Sequence, residues 1–161
     1  MSDDYLVREA TEDDIPVLVR SRVRMFEDMA VHRGDPIDRE LMAWIGREST
    51  AVFEAGFGGE HVGWVAERDG AAVASAMVTI QPWLPHPRYP SGNRPYFHSV
   101  HTVPEHRGHG LARRLTEVAI DWARARGFVT FALHASEQGR PIYERLGFVP
   151  ASEYVLPLTY R

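Results

Sequence analysis

The chain contains no cysteine. That excludes disulfides and thiolate metal sites, and with them any mechanism that holds an acyl group on a cysteine. Nor is there an excess of basic residues: 18 Lys and Arg against 22 Asp and Glu leave a formal charge of −4. General binding to nucleic acid or to a membrane surface, which needs a basic face, is therefore not expected. No run reaches the roughly 18 apolar residues of a membrane span, and the opening Met1-Ser2-Asp3-Asp4 is acidic with no apolar core. Neither a signal peptide nor a spanning helix is expected, which makes the cytoplasm the default location. What the 161 residues do hold, 44% hydrophobic and 25% charged, suits one globular domain over residues 1–161.

The most informative stretch runs from Val103 to Arg114. An aromatic and β-branched run, Tyr96 to Val103, precedes it, and an amphipathic segment continues from it to Arg126. The order is strand, glycine loop, helix. Gly108 and Gly110 remove the Cβ atoms that would hold a ligand away from the backbone, and first-turn helix amides have no intrahelical partner. Such a loop cradles a phosphate or pyrophosphate. A P-loop would need Lys-Ser/Thr where Leu111-Ala112 stands, and a dinucleotide loop would need a third glycine and a downstream acid. Neither pattern is met.

Elsewhere the chain predicts a short strand Tyr5–Arg8, then a capping box at Thr11 to Asp14 and a helix with Ile15, Leu18, Val19, Arg22, Val23, Phe26 and Ala30 on its buried face. His32 to Pro36 breaks it, and a second helix with Ile37, Leu41, Trp44 and Ile45 runs to about Ala55. From His61 the period is that of strands: Gly63–Glu67, a turn at Arg68-Asp69-Gly70, then Ala72–Ile80. Gln81 to Pro95 holds five prolines and predicts an irregular loop, either a surface excursion or a substrate-shaping element. After the glycine loop, Leu111, Leu115, Val118, Ala119, Trp122 and Ala123 form a buried stripe ended by Gly127. Phe128–Leu133 then reads as a central strand. The fold class is α/β, with a mixed sheet and a crossover from the Tyr96 strand to the Phe128 strand.

Arg107, Gly110 and Ala112, in an Arg-x-x-Gly-x-Ala pattern after Pro104-Glu105, closely resemble the acyl-CoA motif of the GNAT superfamily of N-acetyltransferases. Downstream, Leu133 to Ser136 and then Gly139 to Phe148 resemble that family's last core strand, short helix and Tyr-x-x-x-Gly-Phe signature. The likeness covers residues 60 to 150 in detail and the N-terminal third in outline. It implies a single-domain fold with a central, mixed, mostly antiparallel sheet flanked by helices. It implies acetyl-CoA as co-substrate, held by Arg107, Gly108, His109, Gly110, Leu111, Ala112 and Arg113, with the backbone of Thr102 and Val103 pairing with the pantetheine like an added strand. It also implies direct attack of an amine on the thioester, and it leaves a homodimer open.

Individual side chains carry competing readings. From sequence alone Tyr143 is a buried aromatic; the resemblance makes it the acid that protonates the departing thiolate, work within reach of a phenol of pKa about 10. Ser136 stands where many family members have Asn, and either helps to hold the pantetheine or caps the next helix. His98 and His101 are structural histidines or the base that deprotonates an ammonium acceptor, directly or through water. No metal is expected: residues three apart on a strand leave opposite faces, and His106 and His109 fall in the phosphate loop.

Three functions remain to be separated: an acetyl-CoA-dependent N-acetyltransferase, a CoA-binding module without catalysis, and a phosphate or nucleotide binder. Tyr143 and the missing Lys-Ser/Thr favour the first. For the acceptor, the aromatic residues Phe26, Trp83, Tyr89, Tyr96 and Tyr154, with Glu27, Asp28 and Asp35, suggest a small-molecule amine, a peptide or protein amine being the alternative.

Overall fold

The structure, a computed structural model, describes residues 4–158. In chain order it forms β1 (Leu6–Glu9), α1 (Ile15–Arg33), α2 (Arg39–Gly56), β2 (His61–Arg68), β3 (Ala71–Pro82), β4 (Asn93–Thr102), α3 (Leu111–Ala125), β5 (Ala132–Leu133) and α4 (Arg140–Arg145). The five strands lie in the order β1-β2-β3-β4-β5. The first four pair antiparallel and β5 joins β4 in parallel through α3, so the sheet is mixed and mostly antiparallel, flanked by helices.

Both faces of the sheet are covered, which is why β2 is buried along most of its length instead of alternating. On one face Val78, Phe97 and Trp64 pack with Leu111, Leu115 and Trp122 of α3 and with Tyr143 of α4. On the other, Val65 and Met77 pack with Ile15, Leu18 and Val19 of α1 and Phe53 of α2. Asp69 and Gly70 both take positive φ, 52° and 76°, the geometry of the tight β2–β3 hairpin that their sequence predicts. The capping box at Thr11 and Asp14 is present, and Arg8 adds a fork to the Asp14 carboxylate, with bonds of 2.7 and 3.0 Å.

Three expectations are corrected. The irregular stretch is shorter than Gln81 to Pro95, because Ile80, Gln81 and Pro82 pair with Pro95, Arg94 and Asn93. Pro82 is the last residue of its strand, and Pro95 stands one place before β4 meets β5, so neither blocks the ladder. Phe128–Leu133 is not a central strand: only Ala132 and Leu133 pair, at the sheet edge. Phe128 instead stacks on Trp122, and Phe131 packs between Phe97 and Phe148. The apolar run serves as packing rather than as ladder. Third, Tyr154, offered among the aromatics for the acceptor, is 96% exposed, so it walls no pocket. In α2, which begins at Arg39, Leu41 and Trp44 are exposed and Ile45 is half-buried.

Candidate active site

Pro104–His106 form a short 3-10 turn that delivers the chain to the glycine loop. Gly108 and Gly110 lie at φ 80° and 73°, the left-handed region that a side chain resists, and no atom lies within 4 Å of where a Cβ would stand on either. Gly110 is the N-cap of α3 and offers no capping side chain. The amides of Leu111, Ala112 and Arg113 therefore begin α3 without an intrahelical partner, next to the open space beside the two glycines. His109 closes the loop on itself through Nδ1, 3.0 Å from the Arg107 carbonyl. Arg113 pairs with Glu117 along the helix at 2.9 Å.

Arg107 points back toward α1. Its Nε donates to the Thr102 carbonyl at 3.0 Å and an Nη to Asp28 at 2.6 Å. The Val103 amide donates to Val73, and the Val103 carbonyl accepts from His106. Three of the backbone groups expected to meet a pantetheine are thus bonded within the protein. The open edge lies earlier on the strand: β5 pairs only with Tyr96 and Phe97, so among the described residues β4 has no neighbour on that side from His98 onward.

The parity expected of β4 fails. A bulge places Ser99 and Val100 opposite Ala76, since Met77 pairs with His98 and Ser75 with His101, and Ser99 takes φ 55°. The extra residue shifts the alternation by one. Val100 turns to the α3 face, while His98 and His101 share the face toward α1.

On that face His98 is held at both ring nitrogens, Nε2 by the Thr79 hydroxyl (2.7 Å) and Nδ1 by the Ser99 hydroxyl (2.8 Å). Thr79 continues to His61 at 2.9 Å, and Arg22 donates to Ser99 at 2.7 Å. Burial first, then the Arg22 charge, pushes the His98 pKa down to about 3, so the ring is neutral at pH 7. Both ring nitrogens are thus already bonded to hydroxyls within the protein. His101 is also shifted down, chiefly by burial, with Asp28 opposing. Its Nε2 lies 3.3 Å from Asp28, and its Nδ1 is sealed from solvent without a partner among the described residues. Among those residues no group of three or more His, Asp or Glu is arranged to hold a metal.

Tyr143 projects from α4 into the α3-side core, its ring edge-on to Phe97 and Phe148. Burial raises its pKa to about 12, so it carries its proton at neutral pH. Gly139 permits this fit, since a Cβ there would come within 2.9 Å of the ring. Ser136 accepts the Gly139 amide at 3.1 Å; the bond holds the turn before α4, whose N-cap is Gly139 and not Ser136. His32, at the end of α1, bonds Gln138 at 3.1 Å and bridges α1 to this turn.

Residues 24–148 match the model of the Acetyltransferase (GNAT) family. The chain belongs to this family. Solved GNAT structures agree: a GCN5-related N-acetyltransferase from Ralstonia eutropha JMP134 superimposes with a TM-score of 0.83 at 28% identity, over 96% of this chain and 98% of that one. An acetyltransferase from Clostridium acetobutylicum, solved with acetyl-CoA, gives 0.82 at 26% identity, over 96% of each chain. An acetyltransferase from Trypanosoma brucei shares the fold at 0.69 and 24% identity, over 98% of this chain and all of that one. The GNAT fold expected from the two motifs is therefore present, a five-strand mixed sheet flanked by helices. Among the described residues no helix is long and apolar enough to cross a membrane.

Sequence reading missed what joins the two halves of the site: the Asp28–Arg107 pair, and the hydroxyls of Thr79 and Ser99 around His98. A signal existed for Arg22, which donates to the Ser99 hydroxyl. Arg22 stands within the apolar stripe of α1, and a charge at a buried position asks for a partner.

Proposed function

We propose that this GNAT protein moves an acetyl group from acetyl-CoA to the primary amine of a small molecule, by direct attack within a ternary complex. The observation that carries this reading is the uncapped start of α3 behind two left-handed glycines with open space above them. An anionic pyrophosphate supplies the acceptor atoms those amides lack and sits at the positive end of the α3 dipole. Beside it, the free edge of β4 beyond Phe97 can take an extended amide-bearing arm by strand addition.

The chemistry follows from the same elements. The amine lone pair forms a bond to the thioester carbonyl carbon as the carbon–sulfur bond breaks. Tyr143, neutral and protonated at working pH, donates its proton to the departing sulfur. With no cysteine in the chain, no acyl-cysteine intermediate intervenes. The acceptor ammonium gives one proton to water before attack; after attack the new amide nitrogen gives up a second, which returns through water to the Tyr143 phenolate, so Tyr143 ends the cycle protonated. His98 and His101, both with pKa lowered by burial, line the α1 side of β4, and any proton reaching His98 passes through Ser99 or Thr79.

Thiol release from acetyl-CoA, followed across amines with mass detection of the acetylated product, tests this reading. Acetylated amine in step with free CoA supports it. Tight CoA binding without product from any amine would replace it with a non-catalytic CoA-binding role.

A further inference from the structure

The aromatic residues that the sequence offers as walls for a cationic acceptor are already used. Arg94 lies 4.8, 5.9 and 5.5 Å from the rings of Trp83, Tyr89 and Tyr96 and pairs with Glu153 at 3.4 Å. The Tyr96 hydroxyl bonds His134. Two of the three expected carboxylate anchors are also engaged, Asp28 by Arg107 and His101 and Asp35 by Arg33. What faces the β4 bulge from α1 is a cation. Arg22 reaches from α1 to Ser99 with one Nη, 2.7 Å from a 3% exposed serine. Its guanidinium carbon lies over the Phe26 ring, 5.0 Å from the centroid, and among the described residues it has no carboxylate within ion-pair distance.

A guanidinium presents five N–H donors in a planar fork matched to a carboxylate. Only one bond of that fork is made here, to a neutral hydroxyl. The nearby imidazole, His98, is neutral or cationic in its two protonation states and so supplies no negative charge in either. A half-buried cation lacking an anion is unfavourable, and an anion brought by a ligand relieves it. The position matters equally: Ser99 forms the bulge at which β4 leaves its parallel neighbour, beside the open strand edge.

We propose that Arg22 anchors a carboxylate on the acceptor, so that the substrate class is amino acids and related amines bearing an acidic group rather than polyamines or aminoglycosides. This rests on the acetyl-transfer reading. It places the acid on the α1 side of β4 and the amine toward the bulge, with Phe26 packing the guanidinium from behind.

The test uses matched acceptors that share one amine: an amino acid, its carboxamide, the corresponding decarboxylated amine and an amine bearing a phosphate instead. Initial rates are measured at saturating acetyl-CoA for the native protein, Arg22→Gln and Arg22→Lys, with circular dichroism confirming the fold of each. The native protein prefers the acid over its carboxamide by roughly 30-fold or more in kcat/KM. In Arg22→Gln that ratio collapses toward one through KM, and Arg22→Lys, which keeps charge without the fork, recovers part of it. Equal use of acid and carboxamide, a preference for the phosphate, or a preference that survives in Arg22→Gln overturns the proposal. If no amine is acetylated, calorimetry of the acids in the presence of CoA decides. Binding that depends on Arg22 keeps the anion site while the transferase reading falls, and absence of binding overturns the anion site too.

Discussion

Asp28 on α1 accepts a hydrogen bond from the Arg107 guanidinium at 2.6 Å, and so fastens the first helix to the glycine loop that precedes α3. The same carboxylate lies 3.3 Å from His101 Nε2. Helix α1 and the chain at the end of β4, distant in sequence, thus meet on one side chain.

Asp28→Asn removes the charge while keeping the shape. Both partners of the ion pair are about half exposed, so stability should fall by no more than about 1 kcal/mol. The more telling readout is His101, whose pKa burial already lowers and whose Asp28 neighbour pulls the other way. Without that charge His101 should titrate lower still, which NMR of the imidazole protons records. An upward shift would contradict the arrangement.

Stability should decline in acid on account of the buried rings of the α1 face. His98 has a folded pKa of about 3 against an unfolded value near 6.5. Between these values the unfolded chain binds a proton that the folded chain does not, so stability rises with pH there. Its full contribution is present above the unfolded value and is lost as pH falls toward the folded one. The slope for a single such ring is up to about 1.4 kcal/mol per pH unit. His61 and His101, also shifted down by burial, act in the same direction. Urea titrations of the native chain and of His98→Gln across pH 7 to 4 should show a shallower slope in the variant; equal slopes would mean that His98 is protonated within the fold.

Tyr143→Phe keeps the ring between Phe97 and Phe148 and deletes the hydroxyl. Turnover should drop by about 10² to 10⁴ if proton donation limits the rate, with acetyl-CoA affinity nearly unchanged. Steady-state kinetics beside calorimetry separates the two effects. Full turnover in the variant would leave Tyr143 with a packing role and pass the proton to water.

The glycine loop, α1, α3 and the hairpin at Asp69-Gly70 were legible because each follows from local chemistry: left-handed glycines, 3.6-residue periodicity, a turn dipeptide. The bulge at Ser99 was not, since Ser99-Val100 carries no turn signal and the extra residue is defined only by the register against β3. That one residue inverted the parity that had set His98 and His101 on opposite faces. The extent of β5 was misjudged for a related reason. Phe128 and Phe131 have the composition of a central strand, yet they are drawn into ring contacts with Trp122, Phe97 and Phe148, and tertiary packing overrode β propensity. The role of Asp28 was hidden because its partner lies 79 positions away, beyond the reach of any local pattern.

The central claim is that the loop from Arg107 to Ala112 holds acetyl-CoA at the start of α3. Calorimetric titration of acetyl-CoA into the native chain and into Gly110→Val tests it most directly. Valine at φ 73° is strained and places methyl groups in the open space above the helix amides, so the variant, shown folded by circular dichroism, should lose measurable acetyl-CoA binding while the native chain keeps it. Equal affinity in a folded Gly110→Val protein would contradict the account.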